Sequence, residues 1–167
     1  MPRKASNGAV GNGTGQEFTD PAWAEIVDTL ELTSVVAERV TCEVNHERLA
    51  KAPSGAQMEA KLSLREETEI PSKTRVEFRF LLDVAMLDAN TPESKPLVVI
   101  QMVYCARYSA QTKKRLDKDL LERYRGALAK LHVLPFLRAH VADLTLRAGL
   151  PPLLLPLFKM GKGRKAG

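Results

Sequence analysis

Three histidines, two cysteines and a scatter of carboxylates are the residues of this 167-residue chain that could carry proton, nucleophile or metal chemistry. His132 and His140 stand eight apart, about two helical turns, and no carboxylate or cysteine joins them at metal-ligand spacing. A surface or helix-end position is expected for each of His46, His132 and His140. Cys42 and Cys105 lack zinc-site spacing and the pattern of a disulfide framework, so two half-buried, reduced strand thiols are expected. Glu66 and Glu67 read as solvated charge near a strand end. The run Gly11–Gly15 (GNGTG) has the look of a phosphate-cradling loop, but no strand precedes it, as a dinucleotide fingerprint requires. P-loop, GxSxG and HExxH patterns are absent from the sequence. The sequence therefore assigns no catalytic residue, no metal ligand and no cofactor, and the chain is not read as an enzyme.

The elements that would position any site begin after residue 18. Residues 1–18, rich in Gly, Asn, Ser and Thr, are expected to be a disordered tail, 19–158 a single domain, and 159–167 a basic flexible tail. Asp20-Pro21 starts a short helix over 21–30. A strand follows over 31–45, with Val36, Glu38, Val40, Cys42 and Val44 sharing a face. Residues 46–56 read as a loop. Met58, Ala60, Leu62 and Leu64 alternate with polar residues in a half-buried strand that ends at a turn on Pro71-Ser72. Val76, Phe78, Phe80, Leu82, Val84 and Met86 mark one face of a third strand, and residues 97–108 form a fourth that is apolar on both faces. A helix with Leu116, Leu120, Leu121, Tyr124, Leu128 and Leu131 on one stripe comes next. Pro135 predicts a break near 131–133 and a second helix with Leu134, Leu137, Val141 and Leu144 as its stripe, ended by Gly149. Strands followed by helices predict an α+β fold, a four-stranded antiparallel sheet with helices packed on one face.

The chemistry left over is that of apolar surface. Phe78, Phe80, Met102, Tyr104 and Tyr108 are candidates for one apolar sheet face, and the C-terminal LPPLLLPLF has nothing after it to fold over. That run is too short to span a bilayer, and the N-terminus lacks a signal-peptide core, so a cytoplasmic protein without membrane insertion is expected. The formal charge is +5. Its excess sits at 111–125, with six Lys/Arg against three Asp/Glu, and in the 159–167 tail. A basic nucleic-acid-associated protein using Lys113, Lys114 and Arg115 is therefore an alternative reading, although no base-reading motif accompanies the charge. A structural oligomer with one cognate protein partner is another.

Residues 134–155, LPFLRAHVADLTLRAGLPPLLL, resemble the principal helix of SecB-family chaperones and the turn after it. Leu134, Pro135, Phe136, Arg138, Val141, Leu144, Arg147, Leu150, Pro151, Leu153 and Leu155 carry the resemblance. Within it Pro135, Arg138, Arg147 and Pro151 have the family's fixed spacing. Ala139 stands where export-type members usually have Glu, the chain is basic where they are acidic, and the family's second long helix and motor-binding tail are expected to be missing. It is similar in this to the shorter SecB-like chaperones of toxin–antitoxin systems.

The resemblance implies an ATP-independent holdase for unfolded polypeptides, serving protein export or an antitoxin client. It implies a homotetramer, a dimer of dimers with helices between two sheets, and SecA or an antitoxin as a further partner. On this reading the client-binding or oligomer surface comprises Phe78, Phe80, Leu82, Met102, Tyr104, Tyr108, Leu128, Phe136, Leu153 and Leu155.

Overall fold

A computed structural model describes residues 20–52, 57–91, 95–112 and 116–155. The two expected tails, the GNGTG run and the basic residues Lys113, Lys114 and Arg115 lie outside the described residues. The order of elements is α1 (Pro21–Thr29), β1 (Leu30–Val44), α2 (His46–Lys51), β2 (Met58–Ser72), β3 (Arg75–Asp88), β4 (Val98–Ala110), α3 (Lys118–Tyr124), a π-helical turn (Arg125–Ala129) and α4 (Lys130–Arg147). The strands form one antiparallel sheet in the order β1-β4-β3-β2, so β1 and β2 are its two edges.

Local chemistry explains most boundaries. The Asp20 carboxylate accepts from the Ala22 N–H at 3.0 Å, and Pro21 occupies the first helical position of α1, where its missing N–H costs nothing. Asp117 caps α3 by accepting from the N–H groups of Asp119 and Leu120. Gly149, at φ +80°, takes the left-handed position after α4, which a side chain would disfavour. There the N–H of Leu150 donates to the Thr145 carbonyl and the N–H of Gly149 to that of Leu146, each at 3.0 Å, closing the helix end.

Five expectations are corrected. Residues 46–51 form α2, where a loop was expected. The Asn45 side chain caps it by accepting from Arg48 N–H at 3.1 Å, a signal outweighed in the sequence by the Pro and Gly that follow. β2 runs through Pro71 to Ser72, and the turn falls at Lys73 and Thr74. An edge strand has ladder positions that need no donor, so it tolerates the proline. β1 does not keep one face: irregularities between Leu32 and Ser34 and between Ala37 and Arg39 each insert a residue and reverse the alternation. Val40, Cys42 and Val44 share the helix-covered face, whereas Val36 lies opposite Cys105 on the outer face.

Fourth, no break occurs at 131–133. α4 runs through Pro135, and the irregular turn falls earlier, at Arg125–Ala129. Proline deprives the Leu131 carbonyl of its helical partner, but Leu131 is exposed, so water can satisfy that carbonyl and the helix survives. Fifth, Glu66 lies inside β2, half-buried and paired with Arg125 and Lys130 at 3.4 and 2.5 Å, so it is not plain solvated charge.

The alternation of β3 is as expected. Val76, Phe78, Phe80, Leu82, Val84 and Met86 are all buried, together with Val98, Ile100, Met102, Tyr104, Ala106 and Tyr108 of β4 opposite them. α4 covers this face with Val133, Leu134, Leu137 and Val141. On the outer face, long charged side chains form their own cover. Glu77 is only 5% exposed and is flanked by Arg75 at 2.8 Å, Arg79 at 3.0 Å and Arg107 at 3.5 Å. Arg79 reaches Glu38 of β1 at 2.9 Å and also pairs with Glu69 of β2, so one guanidinium ties the edges to the centre.

The hydrogen bond from Arg79 holds the Glu38 carboxyl below its ordinary value of 4.5. A depressed carboxyl stabilises the fold above its unfolded pKa, and that stability is lost as pH falls through the folded value. Arg79→Met should cost about 2 kcal/mol at neutral pH in urea denaturation. That is below the usual loss for one partner of a buried pair, because Arg75 and Arg107 still face Glu77. The difference from the unaltered chain should shrink as the pH is lowered from 4.5.

Candidate functional site

α4 is fixed on the sheet by two tyrosine–histidine pairs as well as by its apolar stripe. The Tyr108 hydroxyl lies 2.7 Å from Nδ1 of His132, and the Tyr104 hydroxyl bonds Nδ1 of His140. Burial raises the pKa of both phenols, so at neutral pH they stay protonated hydroxyls, able to donate to or accept from the imidazole nitrogens. Phe136 sits between these two histidines on the helix, its ring centroid 6.4 Å from that of Tyr104. Tyr124 packs against Phe78 at 5.9 Å and against Tyr108 edge-on at 5.4 Å. His132 and His140 are therefore half-buried anchors, which corrects their expected surface or helix-end positions, while exposed His46 does begin α2. Their i, i+8 spacing matches the rise of the sheet beneath, a signal visible in sequence only once tyrosines four apart on a strand are set against it.

The ten candidate surface residues separate by depth. Phe78, Phe80, Leu82, Met102, Tyr104, Tyr108 and Leu155 are buried within the chain itself. Leu128 and Leu153 are half-buried, and Phe136 is 49% exposed. Of the motif residues, Pro135, Arg147 and Pro151 are exposed and Arg138 is half-buried. Leu153 and Leu155 are drawn in because the chain folds back after Gly149. The Leu153 N–H donates to Oγ1 of buried Thr145 at 2.9 Å, and that hydroxyl also meets the Val141 carbonyl at 2.9 Å.

Geometry decides what stays uncovered. Strands lie about 4.8 Å apart, so four of them span about 19 Å, whereas a helix with its side chains is about 10–12 Å wide. α4 lies mainly over β4, and the inner faces of both edge strands emerge beside it. On the β1 side Leu32 and Val40 are exposed. On the β2 side Leu62 is 43% exposed and Ile70 48%, with Leu131 of α4 at 47%. Leu146 and Leu154 are exposed as well. These residues were not singled out as a surface by sequence reasoning, although the alternation of β2 already placed Leu62 on the apolar face. Each strip runs beside an edge strand, whose outer main-chain groups have no strand partner among the described residues.

The titratable clusters offer little for covalent chemistry. Glu38, Glu77 and Cys105 have ligand atoms within 4.8 Å of one another. Both carboxylates are matched by arginines, and burial pushes the Cys105 thiol up to about 11, so it is protonated at neutral pH. Cys105 is fully buried, deeper than expected, and faces outward, while Cys42 faces the helix. The two thiols lie on opposite faces of the sheet and cannot pair.

No family model matches the chain, and no curated protein matches it. Among solved structures, the SecB-like chaperone Rv1957 of Mycobacterium tuberculosis, in complex with a ChAD peptide from the Rv1956 HigA1 antitoxin, superposes with a TM-score of 0.72 at 15% identity, covering 84% of this chain and 98% of that one. The chain has the SecB-like fold. A Streptococcus agalactiae protein of unknown function aligns at a TM-score of 0.36 and 9% identity over 77% of this chain and 97% of its own, a level that carries no argument. In this SecB-like fold the motif residues expected from the sequence fall on α4 and on the segment that folds back after it. Among the described residues no helix is long and apolar enough to cross a membrane.

Depth separates the candidates experimentally. Phe80→Ala should cost about 3–5 kcal/mol in urea denaturation, because it opens a cavity in the core. Phe136→Ala, at a half-exposed position, should cost less than about 1 kcal/mol.

Proposed function

We propose that this chain is an ATP-independent holdase that binds unfolded or partly folded polypeptides and performs no covalent chemistry. The observation that carries the reading is the pair of exposed apolar strips beside α4, each next to an edge strand of a SecB-like sheet. An extended client segment laid along an edge can bury alternate side chains in the strip and offer its backbone to the unpaired strand. Each large apolar side chain that becomes fully buried contributes about 1.5–3 kcal/mol before ordering costs. Several such weak contacts give affinity with little demand on sequence. The neighbouring structure holds an antitoxin peptide, and an aggregation-prone antitoxin is the specific client we propose here.

The outward face of α4 supports self-association. Leu131, Pro135, Ala139 and Leu146 are all exposed along it, and a helix that is apolar on its outer side as well as its inner side is one that gets covered. A homotetramer with its helices between two sheets would cover it. The reading goes with a cytoplasmic location, where free Cys42 and Cys105 stay reduced.

The test is suppression of aggregation of a reduced, unfolded model protein, with light scattering for native mass. We expect suppression at stoichiometric amounts without nucleotide, by a species near four times the monomer mass. Leu62→Ser combined with Phe136→Ser should weaken suppression several-fold and leave the fold intact. A monomer that suppresses nothing would remove the reading.

A further inference from the structure

Arg138 and Arg147 are set alike in the sequence, nine apart on one helix, yet the structure treats them differently. Arg147 is exposed and pairs with Asp143, one turn earlier, at 2.9 Å. Arg138 is half-buried, and its Nη1 is shielded from solvent with no hydrogen-bond partner among the described residues. Glu66, the acid that meets this side of the helix from β2, is taken by Arg125 and Lys130. A guanidinium keeps its charge at any physiological pH and cannot relieve the strain by losing a proton. A shielded donor without an acceptor is a standing cost that a matching ligand removes.

The position of Arg138 says where that ligand would lie. Lys130, Leu134 and Arg138 follow one another at four-residue steps, so they share a flank of α4. Lys130 reaches Glu66 on the inner face of β2, which turns this flank toward β2. Leu131 lies seven residues before Arg138 on the same side and is exposed, and Leu62 is exposed on the inner face of β2.

We infer that the β2-side strip selects an extended polypeptide segment carrying an acidic side chain between apolar ones, with Arg138 as the group that receives the carboxylate. A carboxylate compensates the charge and, once the half-buried side chain turns into the strip, accepts from Nη1 as well, its planar oxygens fitting the guanidinium fork. A neutral amide supplies an acceptor but leaves the charge uncompensated, and an ammonium supplies neither. This inference rests on the holdase reading and adds a client preference to it.

The probes are three fluorescein-labelled peptides of alternating leucine and serine that differ only in a central Glu, Gln or Lys, followed by fluorescence anisotropy. The unaltered protein should bind the Glu peptide about tenfold more tightly than the Gln peptide, and the Lys peptide least. Arg138→Gln should erase the Glu-over-Gln ratio while native mass persists. If that variant does not fold, the ratio on the unaltered protein still decides. Equal binding of all three peptides by a protein that suppresses aggregation would overturn the inference and leave the holdase reading standing. Loss of the oligomer in Arg138→Gln, without any Glu preference in the parent, would overturn it by assigning Arg138 to self-association. No peptide binding together with no suppression would remove both readings.

Discussion

A single helix cannot cover four strands, and much of this molecule follows from that mismatch of widths. The two central strands carry the largest inward side chains, Phe78, Phe80, Tyr104 and Tyr108, so α4 is drawn over them. The edges are then left half-dressed. Leu32 and Val40 emerge on one side of the helix, and Leu62 and Ile70 on the other. Sliding α4 toward either edge would expose a central aromatic to cover a smaller aliphatic, and would break the bonds of Tyr108 to His132 and of Tyr104 to His140. The helix is therefore held where it leaves two apolar strips, not one.

The opposite face of the same sheet meets the covering problem by other means. It has no helix among the described residues, yet Glu77 and Cys105 are buried there, because Arg75, Arg79, Arg107, Glu38 and Glu69 lie over them as a network. Burying a carboxylate is costly unless its charge is matched and its oxygens are bonded; three guanidiniums match the charge of Glu77, and Arg79 and the Cys105 thiol donate to its Oε2. The irregularity between Ala37 and Arg39 serves both faces: Glu38, two residues after the outward Val36, reaches Arg79, and the inserted residue turns Val40 and Cys42 to the helix side. One face is thus closed by charge and the other left open with apolar side chains, so an apolar partner is directed to the helix side.

The segment after α4 links the two ideas. Gly149 reverses the chain, Thr145 holds Leu153, and Leu150 and Leu155 enter the core. This fold-back consumes part of the apolar tail as internal cover. It leaves Leu154 exposed, as Leu131 and Leu146 of α4 are. Among the described residues Arg138 has an unmet hydrogen bond, in a region otherwise furnished for apolar contact.

By itself the sequence determined the fold class, the inward faces of β2 and β3, the caps at Asp20 and Gly149, and the resemblance of residues 134–155 to the SecB principal helix. Each of these is local: alternation, capping and a spaced motif act between residues a few positions apart. What only the tertiary structure decided is everything that depends on who lies across from whom. The reversed facing of Val36 needed the pairing of β1 with β4, since an inserted residue is invisible until a partner strand counts it. The roles of His132 and His140 needed Tyr108 and Tyr104 beneath them, and the continuity of α4 through Pro135 needed Leu131 to fall on the exposed side of the helix. The division of one apolar set into a buried core and two exposed strips followed from the width of a helix against the width of a sheet, a quantity that no sequence position carries.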